Sequence, residues 1–166
     1  MRSDQFVVSV LVANHFGVLT RISGLFSKRG FNIDSLTVGE TENPEISRMT
    51  IVSTGDDYIK EQIVKQLEKL VDVKTVQLMD RDHTVVRELL MVKLGVEQGK
   101  RAEILEAVQI FRAKVVDLSQ QTITVEITGD RSKLDAFVEY LRPFGIVEIC
   151  RTGVTAMGRN NYCLAY

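Results

Sequence analysis

Cysteine, charge of one sign, long apolar runs and catalytic signatures are all scarce or missing in this sequence, and each absence removes a class of function. With only two cysteines, Cys150 and Cys163, and no C-x-x-C pair or Cys/His cluster around them, a disulfide framework and a zinc site are both excluded. The pair is expected to be free thiols in a reducing cytoplasm. A formal net charge of -1, without a block of like charges, provides no electrostatic footprint for nucleic acid or for an anionic membrane. No segment is long and apolar enough to form a membrane helix. The apolar stretch Phe6 to Ala13 follows Arg2, as in a secretory signal, but it is short, it alternates, and Asp4 weakens the positive end, so a strand is expected there.

Catalytic traces are equally sparse. There is no H-E-x-x-H, G-x-S-x-G or G-x-G-x-x-G, and neither His15 nor His83 has an obvious catalytic partner in the sequence. Gly95 to Arg101 has a superficial likeness to a phosphate loop, but its glycines are separated by three residues rather than four. Arg101 also stands where a metal-binding Ser or Thr belongs, so a loop leading into a helix is the better reading. Asp34, Asp117 and Asp130 lack clustered partners and read as solvated carboxylates. An RNA-binding sheet would need aromatic residues on its central strands, and those strands carry Thr, Val and Met instead.

What is present is a globular composition, 45% hydrophobic and 26% charged, laid out as one plan used twice. Strand-like alternation at Phe6, Val8, Val10 and Val12 gives way to helical spacing at Val18, Leu19, Ile22, Leu25 and Phe26, which Gly30 stops. Runs at Asn32 to Val38 and Ile46 to Ser53 predict a hairpin across the turn-rich Gly39 to Glu45. Ile59, Ile63, Leu67 and Leu70 mark a second helix, and Val73 to Leu78 a closing strand. Met79 to Thr84 reads as a linker.

The order then recurs. A strand at Leu90 to Val96 precedes a helix at Ile104 to Phe111, and strands at Lys114 to Ser119 and Ile123 to Ile127 follow. A helix at Leu134 to Leu141 and a strand at Ile146 to Thr152 close the pattern. The fold class expected is α+β: two consecutive ferredoxin-like βαββαβ domains, residues 1–79 and 84–166. Each sheet would carry its helices on one face. The other face needs cover, and a second copy of the chain is expected to supply it as a homodimer.

The segment Asn14-His15-Phe16-Gly17-Val18-Leu19 delivers the first strand into the first helix, where unpaired backbone N–H groups favour a carboxylate. The carboxamides of Asn14 and Asn32 could serve the two charges of an amino acid. From spacing alone, the plainer reading is that Asn14 caps the helix, Gly17 permits the turn and Asn32 belongs to the cap after Gly30.

Residues 12–38, V-A-N-H-F-G-V-L-T-R-I-S-G-L-F-S-K-R-G-F-N-I-D-S-L-T-V, resemble the opening of the acetohydroxyacid synthase small-subunit family, whose N-terminal half is an ACT domain. Similar segments are Ser47-Arg48-Met49-Thr50, Gln66 to Val73 with Leu70-Val71-Asp72-Val73, Arg87-Glu88-Leu89, Lys133-Leu134-Asp135-Ala136-Phe137 and Arg151-Thr152-Gly153-Val154, so the likeness covers nearly the whole chain.

The resemblance implies a non-catalytic, cytoplasmic regulatory subunit of the branched-chain amino-acid pathway. Such a subunit activates a large catalytic partner and confers feedback inhibition by valine. Thiamine diphosphate, magnesium and FAD would belong to that partner, and this chain would carry no cofactor of its own. Carried over by position, Asn14, Gly17, Val18 and Leu19 of one protomer and Asn32 and Ile33 of the other would hold the effector. Phe16 stands where a smaller residue or proline is expected. In the second half, Glu97 and Lys100 fall opposite Asn14 and Gly17, so no equivalent site is expected there. An ACT-type sensor serving another enzyme or a transcriptional circuit, and a small ferredoxin-like enzyme with an unrecognised site, stay open as alternatives.

Overall fold

A computed structural model describes residues 4–96 and 99–164; Arg2 of the signal reading and Glu97 of the second-half comparison lie outside the described residues. The chain divides into two compact units, residues 1–86 with 154–166, and residues 87–153.

In the first unit the order is β1 (Gln5–Ala13), α1 (Val18–Arg29), β2 (Ser35–Glu40), β3 (Ile46–Thr54), α2 (Asp57–Leu67) and β4 (Val73–Leu78). The antiparallel sheet runs β2-β3-β1-β4, which is the ferredoxin-like order. Alternation along β1 sends Phe6, Val8, Val10 and Val12 into a core with Met49 and Ile51 of β3, Val18, Ile22 and Phe26 of α1, and Ile63 and Leu67 of α2. Helix α1 ends at Gly30, which has φ 69° and donates its N–H to Ser27 O, while Lys28 and Arg29 complement the helix dipole.

The opposite face of this sheet corrects two expectations. It is not left for a second copy: Val154 and Ala156 pack on Val7, Val52 and Met79, with Val86 and Tyr162 alongside. The sequence reading ran residues 154–166 on with the second domain, yet they sit with the first unit, as a further strand β9 (Thr155–Gly158) after the repeated pattern. Beneath this cover the sheet is polar, with Ser9 and Thr50 paired and buried. Arg48, half-buried, donates to Ala156 O at 2.7 Å and to Ser9 Oγ at 3.3 Å, and its desolvation lowers the guanidinium pKa. Arg48 Nε and Gln77 Oε1 are buried there without a partner among the described residues.

The cover is tight at one point. A Cβ on Gly158 would lie 1.6 Å from the carbonyl oxygen of Tyr162. Gly158→Ala is therefore expected to loosen the C-terminal segment, seen as faster amide exchange over residues 155–162 with exchange in β1 and β3 unchanged. Unchanged exchange over 155–162 would show that the contact does not hold the segment.

The second unit repeats the plan. Strand β5 (Thr84–Gly95) is followed by α3 (Arg101–Phe111), β6 (Lys114–Leu118), β7 (Thr122–Gly129), α4 (Arg131–Leu141) and β8 (Ile146–Arg151), with sheet order β6-β7-β5-β8. Strand β5 begins at Thr84, in the expected linker and well before Leu90, because Thr84 and Val86 are still engaged by the first unit. Leu90, Val92, Leu94, Ile123, Val125, Ile127, Leu134 and Phe137 make the core. Asp130 caps α4: it accepts from Ser132 Oγ and Lys133 N, and these bonds lower its pKa. Arg151 joins buried Glu88 to Asp135, linking three of the segments that carry the family likeness.

Candidate functional site

The turn from β1 into α1 is shaped by Gly17, which stands at the N-cap with φ 89°. No side chain caps α1, so the capping role for Asn14 does not hold, and the first turn carries no acidic residue to partner its N–H groups. A Cβ on Gly17 would meet nothing within 4 Å. The glycine is needed for its positive φ rather than to avoid a neighbour in its own chain.

Asn14 is held differently from the sequence expectation. Its Nδ2 donates to Glu40 Oε1 at 3.0 Å and to Pro44 O at 2.8 Å, and its backbone N–H to Glu45 O at 2.7 Å. Both donors are thus used, while Oδ1 is bonded to nothing among the described residues and can accept from an ammonium. Glu40, at the end of β2, is a second acceptor beside it. Nothing in the local sequence singled Glu40 out; the hairpin brings it there. Val18 is 4% exposed and belongs to the core, so what it offers a ligand is its backbone N–H, whereas Leu19 is 48% exposed.

Asn32 and Ile33 lie elsewhere. Asn32 does not open a strand: β2 starts at Ser35, and Asn32 sits in the connection before it, its carbonyl accepting from Ser53 Oγ at 2.6 Å. Its Nδ2 donates to Asp34 Oδ1 at 2.5 Å, and Asp34 also accepts from Gln5 Nε2 and Thr54 Oγ1. Asp34 is therefore a hub of hydrogen bonds rather than a merely solvated carboxylate. Ile33 is half-buried against the core. Gln5 and Thr54 mark one end of the β1/β3 ladder, and Ala13 and Ile46 mark the other. At about 3.3 Å per residue, the length of β1 separates the Asn14 and Asn32 regions by roughly 26 Å. One small molecule cannot touch both within a single chain.

His15, Phe16 and Arg21 complete the turn. His15 has a partner after all, Asp72, with Nε2 3.2 Å from Oδ1, and Arg21 pairs with the other oxygen of the same carboxylate. Phe16 is 100% exposed. In the second unit Arg101, at the start of α3, donates to the carbonyls of Ser119 and Gln120 at 2.8 and 3.2 Å. No group of three His, Cys, Asp or Glu among the described residues is placed to hold a metal, and no described helix is long and apolar enough to cross a membrane.

Comparisons with known proteins agree across the chain. Residues 8–75 match a family model described as an AHAS small subunit-like ACT domain, and residues 87–160 one described as the small subunit of acetolactate synthase. The chain is 51% identical over 162 residues to a probable acetolactate synthase small subunit of Methanothermobacter thermautotrophicus, covering 97% of this chain and 96% of that one. It is 49% identical over 159 residues to the acetolactate synthase small subunit of Mycobacterium bovis, with coverage of 96% and 95%. The crystal structure of the acetolactate synthase small subunit of Thermotoga maritima superposes with a TM-score of 0.89 at 45% identity, covering 95% of this chain and 98% of that one.

Proposed function

The chain belongs to the acetolactate synthase small-subunit family, and from that premise we propose that it is a non-catalytic, cytoplasmic regulatory subunit that activates a large catalytic subunit and makes it sensitive to valine. Thiamine diphosphate, magnesium and flavin belong, in this reading, to the partner.

One observation carries the sensing half of the proposal. The Asn14 turn and the Asn32 connection lie at opposite ends of one sheet, so a single amino acid reaches both only where two copies meet head to tail. Strand β2 is at the edge of its sheet, where a second copy in that orientation would extend the ladder. At such a junction the uncapped N–H groups of α1 receive the effector carboxylate, and Asn14 Oδ1 and Glu40 take its ammonium. Asn32 and the exposed Leu19 complete the surround.

An effector that binds two packings of the pair unequally shifts their populations, and only such a difference transmits a signal. A coupling of about 1–3 kcal/mol, or roughly 5- to 150-fold, suffices. The test is acetolactate formation by the separately purified catalytic subunit of the same organism, with and without this chain, as valine is increased. Higher activity on mixing and its suppression by valine support the proposal. A catalytic subunit indifferent to the chain refutes it.

A further inference from the structure

The β1–α1 turn is held in shape by a residue that contacts no part of the proposed effector site directly. Asp72 lies in the connection from α2 to β4, and its side chain is only 11% exposed. Its backbone carbonyl accepts the N–H of Ala13 at 2.8 Å, just before the turn. Its Oδ1 faces His15 Nε2 at 3.2 Å, inside the turn, and its Oδ2 accepts from Arg21, one helical turn into α1. Three successive points of the chain are thus pinned to one residue from another element.

Asn14 is held by its own bonds to Glu40, Pro44 and Glu45, but beyond it packing does little to fix the turn. Asn14, His15 and Phe16 are exposed, Gly17 makes no side-chain contact, and no side chain caps α1. The carboxylate, mostly removed from water, needs both cationic or N–H partners, so losing either leaves it under-satisfied and the turn less constrained. We propose that Asp72 is the positioning residue of the effector loop: through His15 and Arg21 it sets the direction of the α1 N–H groups, and so the affinity for the amino acid. The inference rests on the sensor reading above.

The experiment has two arms. In the assembled enzyme, valine titrations normalised to each variant's own valine-free activity are run for Asp72→Asn, His15→Gln, Arg21→Gln and the double variant His15→Gln/Asp72→Asn. Asp72→Asn raises the midpoint at least about tenfold, the two exposed-residue variants raise it less, and the double variant lies within about twofold of Asp72→Asn, because a shared network makes the effects non-additive. Ile63→Val, a conservative change in the buried core of the same unit, keeps the wild-type midpoint. In the second arm, amide exchange over residues 13–19 is compared without any effector, and it is faster in all three single variants. If Asp72→Asn fails to fold, His15→Gln and Arg21→Gln carry the test.

A wild-type midpoint in the single variants, additivity in the double, or unchanged exchange overturns the proposal. A wild-type enzyme that ignores valine sinks the sensor reading instead, and the exchange arm still decides whether Asp72 holds the turn.

Discussion

Gly17→Asp is expected to remove the response to valine while leaving the first unit folded. Two effects on stability oppose one another. A residue with a Cβ at φ 89° costs about 1–2 kcal/mol, but aspartate at the uncapped end of α1 can accept from its free N–H groups, which returns about 0.5–2 kcal/mol. No neighbour within 4 Å resists the new side chain, so the thermal midpoint moves by only a few degrees. The effector suffers both ways: its carboxylate meets a like charge, and the amides it would use are occupied. The valine midpoint should rise about 100-fold or more. Gly17→Asn, neutral and tolerant of positive φ, should give a smaller rise. Activity measured against valine, beside a thermal melt, checks both; a wild-type midpoint in Gly17→Asp would place the effector carboxylate elsewhere.

Phe137→Ala should be the most destabilising single truncation in the second unit. Phe137 is fully buried, its ring lies 5.1 Å from that of Phe111, and it stands in the core with Leu134 and Leu141 from its own helix. Removing the ring leaves a cavity that these branched neighbours close only in part, at a cost of about 3–5 kcal/mol. Hydrogen exchange in β5 and β7 under mild urea reports that loss locally. A loss below about 1 kcal/mol would mean that the core collapses around the gap.

The two βαββαβ units were legible because their signals are local. Alternation at Phe6, Val8, Val10 and Val12, the helical spacing of Val18, Leu19, Ile22, Leu25 and Phe26, and the stop at Gly30 each appear within one turn or strand, and both elements formed there, although Leu19 is exposed. Strand β9 was not legible. It is four residues long, with Ala156 alone deeply buried, and its place depends on Val7 and Val52 far earlier in the chain. No local period announces such a strap, and the expectation that a second copy would cover the first sheet failed for the same reason.

The site was legible in part. Gly17 needed a positive φ, and a glycine before a helix signals as much. The role of Asn14 was not visible, because Glu40 and Pro44 come to it through the β2–β3 hairpin, 26 and 30 residues away. Asn32 looked like the start of a strand because Ile33 and Leu36 are apolar, yet its carbonyl is taken by Ser53 Oγ and the ladder begins only at Ser35. His15 had no obvious partner in the sequence, and nothing there tied Arg21 to it. Their shared carboxylate comes from Asp72, 51 residues beyond Arg21, with only an acidic residue between Val71 and Val73 as a hint.

The central claim, that two copies of this chain form an amino-acid site at the β1–α1 turn, is tested most directly by calorimetric titration of the purified chain with valine, leucine and isoleucine, alongside Asn14→Ala. The account predicts saturable valine binding at one site per pair-forming turn, lost in Asn14→Ala although that variant melts within a few degrees of the wild type. Valine binding of equal strength in Asn14→Ala, or none by the folded wild-type chain, would contradict it.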